Sequence, residues 1–513
     1  MAENEDKLYR LIHSLDKTEK GFVKKYAMLH IKEDANSVRL FDIYNKVSPY
    51  DETKLNKFLS QEKFYSHLPK AKNYLYELIL KSMRNYYMEK DEYFRLNTVL
   101  QNIHILKGKR LYKEAQSLIK KLKKECEDQE RYLLLSETHS LERQMHPALY
   151  IDADNYFKEF NSWKKNDELF MNLHYGNRIF TELFYKVFYL IHQLEKKSRS
   201  EIANEINSII QSNEFNKYHN LGGSKAKILG DHIIFYRDFI KEEKNSFHKK
   251  GKEILAHFDN DKTLYLFVDW TIIGFVNNIA LAAIISYDEE LYNDALDLIN
   301  KLKLQLSAGG ERLSSMANNC LNYLNCFYFL RRGMIPNGFQ LCENYLKENN
   351  NHDDGLNENT ATIYFYHSLF SFLKGEYSEA IKSLNAIELF TEQHTSIGLE
   401  SESYLIKILC HYELNNSDTV DYLAKRYLIF IDKKTPQFHQ RKSLIELLNT
   451  QPNMNSEKLA TELLHSFAQK NTSTDCIVGV ALLDLSVWCQ HKITKENQIK
   501  LIEQKFKTLR NRV

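Results

Sequence analysis

The chain has 513 residues, a formal net charge of +2, 43% hydrophobic residues and 27% charged residues, a balance that excludes wholesale disorder and, at about 150 residues per domain, a single compact core. Glycine (16) and proline (6) together supply only 22 of the residues, against about 12% in an average chain, which disfavours turn-rich strand folds and favours long helices with short connections. Near-neutral charge also argues against a long polyanion as the main ligand, because neutralising many phosphates draws a clear basic excess.

Residues 1–90 are expected to form a small N-terminal helical domain. Met1 to Asp6 is acidic and lacks an apolar signal core, so a cytoplasmic location is expected. Leu8, Leu11, Ile12 and Leu15 form a stripe at helical spacing. Asp16 with Glu19 has the spacing of a capping box. The next helix carries Phe22, Val23, Tyr26 and Leu29 on one side, with Lys17, Lys20, Lys24 and Lys25 as its charge cluster. Leu40, Phe41, Tyr44 and Val47 make a further stripe, ended by Ser48-Pro49. Pro69 suits the first turn of a helix whose buried face is Tyr74, Leu75, Leu78, Ile79 and Ser82.

From residue 91 the pattern alternates helix and short break. Residues 91–260 are expected to be a degenerate repeat-like region, 261–435 helical repeats, and 436–513 a C-terminal helical cap. The basic run Lys107, Lys109, Arg110, Lys113, Lys120, Lys121, Lys123 and Lys124 lies opposite the apolar face Leu111, Ala115, Leu118 and Leu122, as a solvated face does. Ile179, Phe180, Leu183, Phe184, Val187, Phe188, Ile191 and Leu194 form an apolar face wide enough to require neighbours on both sides. Leu264 to Tyr287 has the length of a membrane span, but Asp269, Asn277 and Asn278 interrupt it. A charge near mid-bilayer costs at least about 2.5 kcal/mol, so no membrane span is expected and a helix buried on several sides is. Residues 349–359 form the most polar loop. No segment alternates as strands do.

One stretch is specific. Leu373-Lys-Gly375-Glu-Tyr377-Ser-Glu-Ala380-Ile381 resembles the turn and second-helix start of a tetratricopeptide repeat. Gly375 would end the first helix in a left-handed conformation, Tyr377 would pack across the turn, and Ala380 is small where two helices approach most closely, with Leu384 and Ile387 continuing the buried face. Weaker copies are Tyr292-Asn-Asp-Ala295, Gly333 with Gly338, and Val420 with Ala424, where Asn415 stands at the glycine position; Tyr112-Lys-Glu-Ala115 has the same spacing. Positions 295, 338, 380 and 420 lie 43, 42 and 40 apart by subtraction, longer than the standard repeat. The resemblance implies an all-α, TPR-like α-solenoid of elongated, degenerate helix pairs behind the N-terminal domain. The whole arrangement also resembles a family of bacterial helical-repeat proteins to which no activity attaches, through Leu15 to Phe22 and the Trp488-containing end.

Motifs of chemistry do not form. Gly222-Gly223-Ser224-Lys225 lacks the spacing of a phosphate loop. Glu462-Leu-Leu-His465 has no second copy, as a di-iron carboxylate site requires. Asn350, His352, Asp354 and Gly355 suggest a calcium loop, but Ala361 stands where the bidentate Glu belongs. No G-x-S-x-G nucleophile elbow occurs, although a triad assembled from distant histidines would not show in sequence. Cys126, Cys320, Cys326, Cys342, Cys410, Cys476 and Cys489 form no C-x-x-C and are expected as buried, reduced thiols. No metal or cofactor is expected.

The expected function is that of a non-enzymatic scaffold or adaptor binding a peptide or partner helix on a concave surface lined by the first helix of each pair. Tyr323, Arg331, Tyr366 and Tyr412 are the candidate anchors. Two alternatives stand beside it: a peptide-responsive regulator acting through its N-terminal domain, and an enzyme with a non-local active site.

Overall fold

The computed structural model describes residues 6–30, 35–48, 50–149, 153–191, 193, 197–260, 270–306, 311–349, 358–387, 397–434, 444–448, 455–469 and 484–510. Among them every regular element is helical and no strand occurs, so the chain is all-α. Among them, too, no helix is long and apolar enough to cross a membrane. Pro49, Asp269, Cys476 and the loop residues 350–357 lie outside the described residues. The chain divides into two compact units, Met1–Phe170 and Met171–Val513. The expected boundary at 90 falls inside the first unit, and those near 260 and 435 fall inside the second.

The first unit opens with α1 (Lys7–Ser14), α2 (Lys17–His30), α3 (Ala35–Lys46), α4 (Glu52–Leu59) and α5 (Leu68–Tyr87), which enclose one core from Leu8 to Met83. The capping box at α2 is reciprocal: the Glu19 amide donates to Asp16 Oδ1 at 2.7 Å and the Asp16 amide to Glu19 Oε2 at 2.8 Å. Tyr87 at the end of α5 donates to the other Glu19 oxygen, so one carboxylate starts α2 and ties it to α5. Pro69 sits in the first turn of α5, whose buried face is Leu75, Leu78, Ile79, Ser82 and Met83. Tyr74, expected in that face, is exposed.

The first unit continues with α6 (Glu92–Gly108), α7 (Tyr112–Asp128), α8 (Tyr132–Leu149) and the first part of α9 (Ala153–Ile191). The buried face of α7 is Ala115, Ile119, Leu122 and Cys126, and Leu111, expected there, is exposed. Most of the basic run faces solvent, while Lys123 pairs with Glu142 of α8 at 2.9 Å. His139 on α8 is 3% exposed with neither ring nitrogen hydrogen-bonded among the described residues. Burial, reinforced by the charge of Lys123, holds it down to about 4. Between pH 6.5 and 4 the unfolded chain therefore binds a proton that the folded chain does not. Stability contributed by the neutral ring is lost as pH falls through that window. His139→Leu removes both unpartnered nitrogens. It is expected to raise stability by about 1 kcal/mol at pH 7 and by more at pH 5, as denaturant unfolding at the two pH values would show.

The second unit contains the rest of α9, then α10 (Arg199–Ile210), α11 (Asn213–Leu221), α12 (Ser224–Ile240), α13 (Lys244–Asn260), α14 (Trp270–Ile285), α15 (Glu289–Leu306), α16 (Glu311–Arg331), α17 (Ile335–Asn349), α18 (Glu358–Lys374), α19 (Tyr377–Ile387), α20 (Ile397–Glu413), α21 (Ser417–Lys434), α22 (444–448), α23 (Ser456–Gln469), α24 (Leu485–Thr494) and α25 (Gln498–Arg510). Each helix from α14 to α20 packs on its successor in chain order, and α14, α16, α18 and α20 also pack on one another in sequence. A helix in the middle of such a row is enclosed: residues 365–373 of α18 are all buried. α14 is buried through Phe275, Val276, Ile279, Ala280, Ala282, Ala283 and Ile284, as the interrupted apolar run predicts.

One backbone turn joins these helices again and again. Arg110, Glu130, Glu242, Tyr287, Gly333, Gly375 and Asn415 all adopt positive φ, between 51° and 82°. In each case the next amide donates to the carbonyl five residues back, at 2.8–3.0 Å, which is the Schellman closure of a helix. Five residues after each left-handed position stand Ala115, Leu135, Phe247, Tyr292, Gly338, Ala380 and Val420, all of them buried. In the second unit the left-handed positions are 242, 287, 333, 375 and 415, separated by 45, 46, 42 and 40 by subtraction. Counted this way Tyr292, not Ala295, is the counterpart of Ala380, so the copy expected at Ala295 is displaced by one helical turn. Tyr287 is bulky for this conformation; the guanidinium of Arg332 lies 4.5 Å from its ring centre and also bonds Glu289 at 2.7 Å and the Ile284 carbonyl at 3.1 Å.

Candidate interaction surface

The four candidate anchors are not gathered on one open face. Tyr366 on α18 is 1% exposed, with its ring 6.0 Å from Tyr323 of α16 and 6.1 Å from Phe370. It belongs to the interior because α18, held between α16 and α20, has little free surface. Burial pushes the Tyr366 hydroxyl well above the usual phenol range, and burial likewise pushes half-buried Tyr323 up to about 12. Tyr366→Phe is expected to change stability by no more than about 1 kcal/mol, since the hydroxyl makes no well-formed hydrogen bond among the described residues. Chemical denaturation of the purified variant checks this.

Arg331 and Tyr412 meet the C-terminal helices. The Arg331 guanidinium lies 5.5 Å from the ring centre of Phe506 on α25. Tyr412 stands edge-on to Trp488 of α24 at 6.1 Å, and burial, with the Glu413 carboxylate beside it, pushes its hydroxyl up to about 12. Trp488 is fully buried and donates through Nε1 to Glu413 at 2.7 Å, and α25 packs against α18. The C-terminal helices therefore run back onto the turn ends of α16 and α20 and onto α18.

Tyr364 on α18 and Tyr404, Lys407 and His411 on α20 are half-exposed, as are Tyr323, Arg331 and Tyr412, and of the four candidate anchors Tyr366 is the buried one. Tyr404 receives a hydrogen bond from Arg426 of α21 at 3.2 Å.

A second grouping escaped sequence reasoning because three helices build it. Asp231 on α12, 4% exposed, accepts from His219 of α11 at 3.3 Å, from His257 of α13 at 3.3 Å and from Lys250 of α13 at 3.4 Å. Burial alone would raise its carboxyl, but the His219 hydrogen bond and the Lys250 charge outweigh it and hold Asp231 at about 2. A Cβ on the neighbouring Gly230 would lie 2.4 Å from the His219 ring, so the ring is pressed onto the backbone of α12. This packing makes the cluster a clasp of α11 and α13 onto α12. The adjacent His232 is fully buried, donates through Nε2 to the Phe275 carbonyl at 3.2 Å, and is held down to about 4 by burial. Gly222 and Gly223 form the short connection between α11 and α12, and Glu462 and His465 are exposed on α23. Cys326 and Cys342 bring their sulfurs to 3.7 Å inside the core.

No family model matches the chain, and neither a curated protein nor a solved structure matches it.

Proposed function

We propose that the chain is a TPR-like α-solenoid that works as a scaffold, binding a protein segment along the row of first helices and acting by binding instead of catalysis. The observation that carries this reading is the repeated left-handed turn, which returns every 40–46 residues from Glu242 to Asn415, together with the sequential packing of α14, α16, α18 and α20. Units that bury their faces only on their neighbours make an extended surface suited to a peptide or a partner helix. Tyr404 and Lys407 of α20 and Tyr364 of α18, half-exposed like Tyr323, Arg331 and Tyr412, serve as anchors in this reading.

The test is capture of the partner by the full chain, followed by affinity measurement on variants. Tyr404→Ala and Tyr412→Ala are expected to weaken the identified partner by about 5- to 30-fold, the effect of a single anchor, while Tyr366→Phe leaves it unchanged. A captured ligand that is a nucleic acid or a metabolite, or a partner indifferent to both truncations, would overturn the reading.

A further inference from the structure

The long helix α9 was expected to be covered on both sides, and within the second unit it is covered on one. Ile179, Phe180, Phe184, Val187, Leu190 and Ile191 are buried. On the opposite side Met171, Tyr175, Tyr185 and Tyr189 are 48%, 43%, 40% and 67% exposed, and Arg178 and Glu182 stand between them with side chains 68% and 60% exposed. The six positions follow one another at steps of 4, 3, 4, 3 and 4, the spacing of a coiled-coil seam. The stripe runs roughly 27 Å along the helix at 1.5 Å per residue. Scattered exposed apolar residues are ordinary, but a continuous row of large ones marks a contact surface.

The order of residue types in the row says what it contacts. Reversed end for end about position 180, the row matches itself: Met171 falls opposite Tyr189, Tyr175 opposite Tyr185, and Arg178 opposite Glu182. A surface whose charges and bulky groups complement their own reversal is what a two-fold axis requires. We propose that α9 pairs antiparallel with α9 of a second copy of this chain, the axis passing at the level of residue 180. In each copy Arg178 and Glu182 now bond each other at 3.0 Å. In the pair each also meets its opposite number, closing a four-membered charge ring flanked on both sides by aromatic contacts. A single helix pair buries an area at the low end of specific interfaces, so the dimer depends on concentration.

Sedimentation equilibrium of the full chain across a concentration series is the test. The native chain is expected to dimerise. Arg178→Glu leaves four acidic groups at the axis and Glu182→Arg four basic ones, and each is expected to weaken dimerisation at least tenfold with helix content unchanged by circular dichroism. Two recoveries then follow from the geometry alone. The double variant Arg178→Glu/Glu182→Arg regains the dimer, and an equimolar mixture of the two single variants forms a heterodimer more stable than either variant with itself. A chain that is monomeric at every concentration overturns the proposal. So does a dimer indifferent to the single changes, or one that neither recovery restores.

Discussion

Gly338→Ala is expected to destabilise the second unit by roughly 1–3 kcal/mol, the cost of overpacking a close-packed core. Helix propensity alone predicts the reverse, because Ala in a helix interior is favoured over Gly by about 1 kcal/mol. The sign is decided by what a Cβ would meet. At Gly338 it would lie 2.3–2.7 Å from three ring carbons of Phe370 on α18. Phe370 is fully buried and lies tilted 6.1 Å from Tyr366, so yielding to the methyl would disturb a packed ring. The structural counterpart Ala380 carries its methyl in the core at 0% exposure, so the same turn tolerates a Cβ where the facing residue is placed differently. Denaturant unfolding of Gly338→Ala and of Gly338→Ala/Phe370→Leu separates the two influences. The double variant should recover part of the loss, since the smaller side chain vacates the ring edge. A Gly338→Ala variant more stable than the native chain would mean that Phe370 yields to the added methyl at little cost.

The comparison of residues 338 and 380 also shows how far the sequence can be read. Short-range features were legible because their causes are local. The Asp16–Glu19 box, the Pro69 start and the stripe through Leu40, Phe41, Tyr44 and Val47 each depend on residues within one or two turns of helix, and each is present. The interhelical turn was legible where its left-handed residue is one that accepts positive φ readily, at Gly333, Gly375 and Asn415. It was not legible at Glu242 or Tyr287, whose residue types carry no such signal. Without Tyr287 as a marker, the recurrence of apolar residues every three to four positions let Ala295 stand in for Tyr292.

Site residues were harder for a different reason. A tyrosine ring reads the same whether its hydroxyl reaches solvent or ends inside a row of helices, so Tyr366 resembled an anchor although α18 is enclosed through residues 365–373. Arg331 and Tyr412 depend on where α24 and α25 return, which separations of 75 residues or more from Tyr412 and Arg331 conceal. The clasp on Asp231 draws on α11, α12 and α13 at once, and none of its members carries a local motif.

The return of α24 leads to the largest expected effect, that of Lys492→Met. Glu413 at the end of α20 is bonded by Lys492 and by the Trp488 indole, and the side chains of Lys492 and Glu413 are only 12% and 9% exposed. Removing the cation leaves a buried carboxylate with one neutral donor at 2.7 Å. Breaking such a pair costs roughly 3–5 kcal/mol, much of it the desolvation of the charge left behind rather than the value of the bridge. That distinction yields a second expected result. In Glu413→Gln/Lys492→Met the charge is gone, the amide oxygen still accepts from Trp488, and the methionine keeps the apolar stem of the lysine against the ring, so most of the loss should be recovered. The measurement is the unfolding free energy of the two single variants and the double variant, treated as a cycle. If the double variant is no more stable than Lys492→Met alone, the loss comes from packing of α24 and not from an orphaned charge.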